Sequence, residues 1–287
     1  MEKWNASFLR IRLVLLCLLF HTMVGAQLVD CSNPRVKDSL VLRYLANGAE
    51  QSRVSYMSPQ WQLYCDSILM VCSNVAEAYQ LKAIPFLKYG DMLNAMPLLD
   101  KAVLYDTLQF LPYRAFIKCI FAKDYAGAIA DFEESTRRTG NAGVMDHTFA
   151  FYLGLCYLES GKPSDAVRYF TEDVKTQQTR SGGTDAHFNS WLYQGIALLD
   201  IHQLDSAKAS LAKCLAVYPQ HPEGNYYMAI VHKSQGQPDD ALRYMRATIS
   251  ALKAGYSMNE GNLYYVYYPR QITLYEVEAL LVSLSKE

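Results

Sequence analysis

One helical pattern occurs twice between Trp191 and Ile249, and this repetition constrains the fold more than any other feature of the sequence. Ala241 follows Ala207 by 34 residues, and the residues around the two alanines correspond. The first copy comprises Trp191, Gly195, Leu198, Ala207, Leu211 and Pro219, and the second comprises Asn225, Ala229, His232, Ala241 and Met245. A period of this length is typical of stacked helix–turn–helix units. The chain is therefore expected to contain an array of such units.

Small residues at fixed places in the pattern explain how two helices of one unit would pack. A glycine or alanine at the crossing point lets the two helix axes approach closely, whereas a larger side chain would push them apart. The same offsets recur outside the two clearest copies. The residues predicted to pack the repeats in this way are Gly154, Gly195, Ala229, Ala95, Ala128, Ala166, Ala207 and Ala241.

This pattern resembles that of the tetratricopeptide repeat (TPR) family. Matching offsets place five repeats at about 76–107, 109–139, 147–178, 188–219 and 222–252. The resemblance implies an all-α fold, a right-handed α-solenoid of antiparallel helix pairs. Solenoids need capping elements, because the terminal repeats would otherwise expose an apolar face. We expect a degenerate capping pair at 27–75 and a Tyr-rich segment followed by a capping helix at 253–287.

Two departures from the repeat pattern predict local differences in structure. The spacing between the alanines is wider on both sides of Ala166, and the extra residues fit two polar, glycine-rich loops at 139–143 and 179–184. Insertions of this kind project from one edge of an array. Asp173 stands where a small apolar residue is usual, which predicts a frayed or exposed helix end there.

The first 26 residues have the order of a secretory signal peptide. Lys3, Arg10 and Arg12 precede the apolar run Leu13–Phe20, and the small residues Val24-Gly25-Ala26 follow it. An uncleaved anchor is the alternative, but eight apolar residues fall short of the ~20 that span a bilayer. No cysteine has the neighbours of a bacterial lipoprotein site, and no later stretch is long enough to be transmembrane. We expect an exported chain, periplasmic or associated with the outer envelope.

Six cysteines remain beyond that segment: Cys31, Cys65, Cys72, Cys119, Cys156 and Cys214. Export would permit disulfides, but most of these residues fall at core offsets of the repeats, where free cysteine serves as a small buried hydrophobe. Cys65 and Cys72 are roughly 10 Å apart along one predicted helix and cannot bridge each other. Buried thiols are favoured, and the oxidation state of the six is left open.

Composition and motifs argue against several classes of function. The formal net charge of the 287-residue chain is −1, without a basic run, so nucleic acid is not expected as a partner. The chain has no His-Glu-x-x-His, Gly-x-Ser-x-Gly or Cys-x-x-Cys motif, and its histidines are scattered. We therefore predict a protein without catalytic residues, metal or cofactor. An enzyme on a helical scaffold remains the opposing hypothesis and would require a polar cleft with perturbed titratable groups.

The TPR resemblance implies a binding site on the concave face, which the first helix of each repeat lines. The offsets place two rows there: Tyr113, Phe151, Leu192 and Tyr226, then Ile117, Leu155, Ile196 and Ile230. Such a groove suits a protein or peptide with apolar anchors. The alternative for these residues is packing between repeats, which is commoner for apolar helix faces. A second functional hypothesis is self-association into a homo-oligomer, in which the chain's own tail, or a neighbour's, fills the groove.

Overall fold

The computed structural model describes residues 29–183, 185–258 and 266–284. The predicted signal peptide, 1–26, lies outside the described residues, as does part of the Tyr-rich segment. The chain divides into two units, one ending at Ala78 and one beginning at Tyr79. Within the described residues, no helix has the length and apolar character needed to cross a membrane.

The first unit contains α1 (Pro34–Val41), which continues as a π-helical stretch at Leu42–Ala49, and α2 (Pro59–Val71). Both helices begin with a proline after a capping side chain. The Asn33 side chain accepts a hydrogen bond from the backbone of Arg35, and Ser58 accepts one from Trp61. Helix α3 (Ala76–Tyr89) crosses the boundary between the units.

The second unit is a series of helices connected by short turns. They are α4 (Met92–Tyr105), α5 (Thr107–Ile117), α6 (Tyr125–Thr139), α7 (Phe149–Glu159), α8 (Pro163–Arg180), α9 (Phe188–Asp200), α10 (Leu204–Val217), α11 (Pro222–Ser234), α12 (Pro238–Lys253) and α13 (Leu274–Leu284). From α4 onward each helix packs against the next one in sequence. The prediction of an all-α solenoid of consecutive helix pairs is confirmed.

The loop before α7 contains the only strands among the described residues. Strands β1 (Gly143–Val144) and β2 (His147–Thr148) form a two-residue antiparallel hairpin in the first predicted insertion. Helix α5 ends in another irregularity, a π-helical stretch at Lys118–Ala122. Such π-helical stretches are short interruptions of an α-helix, and this one lies in the repeat predicted at 109–139.

Small residues lie at the crossing points of the helix pairs. The five alanines that mark the repeats are all 0% exposed: Ala95, Ala128, Ala166, Ala207 and Ala241. A Cβ atom added to Gly154 would lie 2.6 Å from the Phe170 ring, and one added to Gly195 would lie 2.7 Å from Leu211. These distances are shorter than van der Waals contact, so the helices of a pair approach as closely as their side chains permit.

Asp173 corrects one expectation from the sequence. It is 0% exposed, and helix α8 continues past it to Arg180. Its Oδ1 atom accepts hydrogen bonds from the Thr148 hydroxyl and the Gln177 amide, each at 2.8 Å. The predicted frayed or exposed helix end is wrong, because the donors that bind Oδ1 let this polar side chain lie in the interior.

The cysteines fall into two groups. Cys31 and Cys72 form a disulfide, with their Cα atoms 5.6 Å apart, so the preference for buried thiols does not hold for this pair. The bridge connects the segment before α1 to the end of α2. Cys65, Cys119, Cys156 and Cys214 are buried thiols outside any disulfide. Burial raises the pKa of Cys214 to about 12, and the nearby Glu223 carboxylate adds to the shift, so this thiol stays protonated and unreactive at neutral pH.

Helix α13 packs on the last repeat. Val277 is 0% exposed and forms a small core cluster with Ala229 and Met245. The opposite side of the helix is open to solvent, with Tyr275 82% and Val282 55% exposed. The helix therefore packs its apolar side against the last helix pair, as a terminal cap in a solenoid would.

Candidate functional site

The first helices of the last three repeats, α7, α9 and α11, lie side by side. Polar side chains on these helices contact the C-terminal part of the chain. We name this surface the first-helix face and define it by Glu159, Tyr193, Asp200 and Tyr227. The chain itself returns to this face after α12. Its residues 266–271, here called the return segment, are non-helical and contact all three helices.

Side chains of three repeats donate hydrogen bonds to backbone carbonyls of the return segment. The Lys123 ammonium group donates to the carbonyl oxygen of Tyr267, at 2.5 Å. The Tyr193 hydroxyl donates to that of Pro269, at 2.7 Å, and the Tyr227 hydroxyl to that of Arg270, at 3.0 Å. Since every residue has a backbone carbonyl, these contacts hold a chain segment without regard to its side chains.

Apolar contacts accompany these hydrogen bonds. Pro269 is buried, and Val266 and Tyr268 pack against the main core cluster of the array. Met258, eight residues before the start of the segment, is 4% exposed, and its sulfur lies 3.7 Å from the Tyr193 hydroxyl. The return segment thus occupies the face as a bound peptide would, with its backbone hydrogen-bonded and several of its side chains packed.

Arg270 makes the charged contacts of the return segment. Its Nε atom lies 2.9 Å from a carboxylate oxygen of Glu159, and its Nη2 atom lies 3.0 Å from one of Asp200. Burial opposes the charged form of the guanidinium, but the hydrogen bond that it donates to Glu159 and the charges of both carboxylates outweigh it and raise the pKa of Arg270. One arginine therefore links the ends of α7 and α9.

Five of the eight predicted groove residues are inaccessible in this structure. Phe151, Leu155 and Leu192 are 0% exposed, and Ile117 and Ile196 are 1% exposed. Phe151, for example, stacks on His147 and contacts the rings of Phe170 and Tyr193 in the next elements. Assigning these five to an open groove surface was wrong, because they fill the space between neighbouring repeats, the alternative that the sequence left open.

Tyr113, Tyr226 and Ile230 are half-buried and keep a part of their surface accessible. Burial raises the pKa of Tyr113, although a hydrogen bond from Gln80 opposes the shift. Burial also raises the pKa of Tyr226, and the Glu276 carboxylate adds to it. Both phenols stay neutral at physiological pH, so they offer a ring and a hydroxyl to a partner.

The residues that define the first-helix face were missed by the sequence analysis. Tyr193 and Tyr227 each directly follow a residue of the predicted row, Leu192 and Tyr226. Glu159 and Asp200 are the last residues of α7 and α9 and share one repeat offset, since Ala207 follows Ala166 by the same 41 residues that separate them. Repeated tyrosines and acids at matching offsets were the available signal.

No group of three or more side chains suited to hold a metal ion occurs among the described residues. Some buried polar side chains of that part of the chain connect neighbouring repeats, such as the His221 and Asn189 side chains, which lie 3.2 Å apart. The chemistry that this region offers is recognition by hydrogen bonds, ion pairs and apolar packing.

Comparison with known proteins agrees with this architecture. Residues 121–173 and 192–257 match the family model of the tetratricopeptide repeat. The matched ranges include α7, α9 and α11 in whole or in large part, and therefore the residues of the first-helix face. A search of curated protein sequences found no significant match.

The fold is similar to that of several solved structures. YrrB, described as a TPR protein with an unusual peptide-binding site, is 18% identical with a TM-score of 0.50, covering 67% of this chain and 97% of YrrB. Pseudomonas aeruginosa pilF is 17% identical with a TM-score of 0.59, covering 77% and 95%. PilW, described as a widely conserved type IV pilus biogenesis factor, is 19% identical with a TM-score of 0.53, covering 62% and 78%.

At these identities the structural likeness is evidence for the fold, and the family match is evidence for the repeats themselves. Both agree with the packed helix pairs and the buried alanines of the array. Over residues 121–173 and 192–257, this chain is similar to the tetratricopeptide repeat family.

Proposed function

We propose that this chain is a non-enzymatic scaffold that binds a segment of a protein partner on its first-helix face. TPR proteins generally act in protein–protein interaction, and YrrB, which shares the fold, is described as having a peptide-binding site. The observation that carries the proposal is the seating of the return segment, whose backbone carbonyls accept hydrogen bonds from Lys123, Tyr193 and Tyr227. A surface that holds one peptide segment in this way is suited to hold another.

The proposed location is the bacterial cell envelope. The first 26 residues have the order of a signal peptide, and the disulfide between Cys31 and Cys72 suits an oxidising compartment. PilW, one of the structures with this fold, is described as a type IV pilus biogenesis factor. These three observations support export from the cytosol.

Self-association is the second candidate, and the return segment favours it specifically. The same residues that bind the first-helix face within one chain could be supplied by a second copy, which would give a homo-oligomer of exchanged tails. Light scattering at micromolar concentration distinguishes the candidates, because a strictly monomeric chain would exclude this one.

Selection of a peptide library on the purified chain tests the proposed function. We expect selected peptides to lose about tenfold in affinity for a Tyr227→Ala chain, since truncating an aromatic residue of the face costs more than ~1 kcal/mol at a binding surface. Tyr275→Ala is the matched control, because Tyr275 is 82% exposed on α13, away from the face. Circular dichroism verifies that both variants remain folded.

Two results would refute the proposal. One is a failure to select any peptide above background on the wild-type chain. The other is an equal affinity of the selected peptides for the Tyr227→Ala and Tyr275→Ala chains, which would place binding on another surface.

A further inference from the structure

The site around Arg270 is built from two successive repeats. Glu159 is the last residue of α7, and Asp200 is the last residue of α9. The two carboxylates converge on one guanidinium, at 2.9 and 3.0 Å. An acidic residue at the C-terminal end of a helix is electrostatically unfavourable by itself, because that end already carries a partial negative charge. Two such residues side by side therefore require a cation.

The guanidinium is the cation that fits this arrangement. Arginine presents several N–H donors in a fixed plane and can address two carboxylates at once, whereas a lysine ammonium is a point charge. The backbone of Arg270 has a φ of +60°, which is uncommon for a residue other than glycine. The contacts of its side chain and of its carbonyl, which accepts from Tyr227, hold it in this conformation.

The contact is also open to exchange. The side chain of Arg270 is 37% exposed, and those of Glu159 and Asp200 are 22% and 29% exposed. Water and salt screen ion pairs at such positions, so their contribution is modest. An arginine from outside the chain can reach both carboxylates once Arg270 has left.

We propose that the first-helix face recognises a partner segment that carries an arginine, and that the return segment occupies the same site as an internal competitor. This inference rests on the proposed function and names the chemistry of its ligand. The partner arginine takes the place of Arg270 between Glu159 and Asp200. An apolar or aromatic residue and a proline before it take the places of Tyr268 and Pro269, which pack on the face.

The test uses a labelled synthetic peptide with the sequence of residues 266–273, titrated into the full chain and its variants by fluorescence anisotropy. The Arg270→Ala substitution removes the guanidinium from the carboxylates of Glu159 and Asp200. The return segment then binds the first-helix face more weakly. We expect this chain to bind the peptide at least tenfold more tightly than the wild type. Arg243→Ala is the matched control, because Arg243 is a partly exposed arginine on α12 that pairs with Asp240.

A second peptide, in which the arginine is replaced by alanine, tests the role of the guanidinium. We expect it to bind the Arg270→Ala chain at least tenfold more weakly than the arginine peptide. Adding Glu159→Gln and Asp200→Asn to the Arg270→Ala chain should remove this difference between the two peptides.

The outcomes separate the inference from the proposed function. Equal affinity of the arginine peptide for the wild-type and Arg270→Ala chains would overturn the proposal that the return segment competes for the site. Equal affinity of both peptides for the Arg270→Ala chain would overturn arginine recognition. If neither peptide binds any variant while library peptides bind the wild type, the inference fails and the proposed function stands. If no peptide of either kind binds, the proposed function fails with it.

Discussion

Ala207→Leu is expected to lower the free energy of unfolding by about 3 kcal/mol, the upper part of the range for overpacking a close-packed interior. Ala207 is 0% exposed and lies at the crossing of α9 and α10. Its carbonyl oxygen is 3.3 Å from the position that a Cβ atom on Gly195 would take. Three additional carbon atoms cannot be placed there without moving the helices apart. Urea unfolding followed by circular dichroism measures the loss.

The same substitution at an exposed alanine of the same helix controls for helix propensity and added apolar surface. Ala212 is exposed on α10, and Ala212→Leu should change the free energy of unfolding by less than about 0.5 kcal/mol. If the two variants unfold at the same urea concentration, close approach of the helices at Ala207 is not what stabilises the pair.

Val277→Asp is expected to detach the C-terminal cap. Val277 is 0% exposed between Ala229 and Met245, and an aspartate there would be buried without a partner, which costs several kcal/mol or forces the helix away. We expect amide hydrogen exchange in α12 to accelerate by roughly a hundredfold, which corresponds to about 3 kcal/mol of lost protection.

Val282→Asp provides the control on the same helix, because Val282 is 55% exposed. An aspartate at that position remains in water and should leave the exchange of α12 within twofold of the wild type, as expected for a surface substitution. Unchanged exchange in the Val277→Asp chain would show that α13 does not protect the last repeat.

The repeat architecture could be predicted because its determinants are local and periodic. An alanine or glycine at a fixed offset, as at Ala166 or Gly195, marks a helix crossing without any knowledge of the rest of the chain. The prediction of an all-α solenoid therefore needed only one 34-residue period and its weaker copies.

The disulfide and the buried acid could not be predicted in the same way. Cys31 and Cys72 are 41 residues apart, and their pairing depends on where two helix ends meet in space. Asp173 departs from the repeat pattern, and its partner Thr148 comes from the loop before α7. The sequence shows each residue but gives no evidence of the partner.

The residues predicted to line a groove and the residues that hold the return segment share helices α7, α9 and α11 but occupy different positions on them. Successive residues of a helix point roughly 100° apart, so an error of one position exchanges a residue that packs against the next repeat for one that faces the groove. Leu192 is 0% exposed, whereas Tyr193 beside it donates a hydrogen bond to the return segment. The position of the return segment depends on contacts over more than 100 residues, such as that of Arg270 with Glu159, which no periodicity encodes.

The most direct test of this account is site-specific photo-cross-linking from the first-helix face. Benzoylphenylalanine replaces Tyr227, whose hydroxyl lies 3.0 Å from the carbonyl oxygen of Arg270, and mass spectrometry identifies the linked peptide. The account predicts a cross-link within one chain, to the peptide that contains Pro269 and Arg270. A cross-link to another region of the chain, with residues 266–271 unmodified, would contradict it.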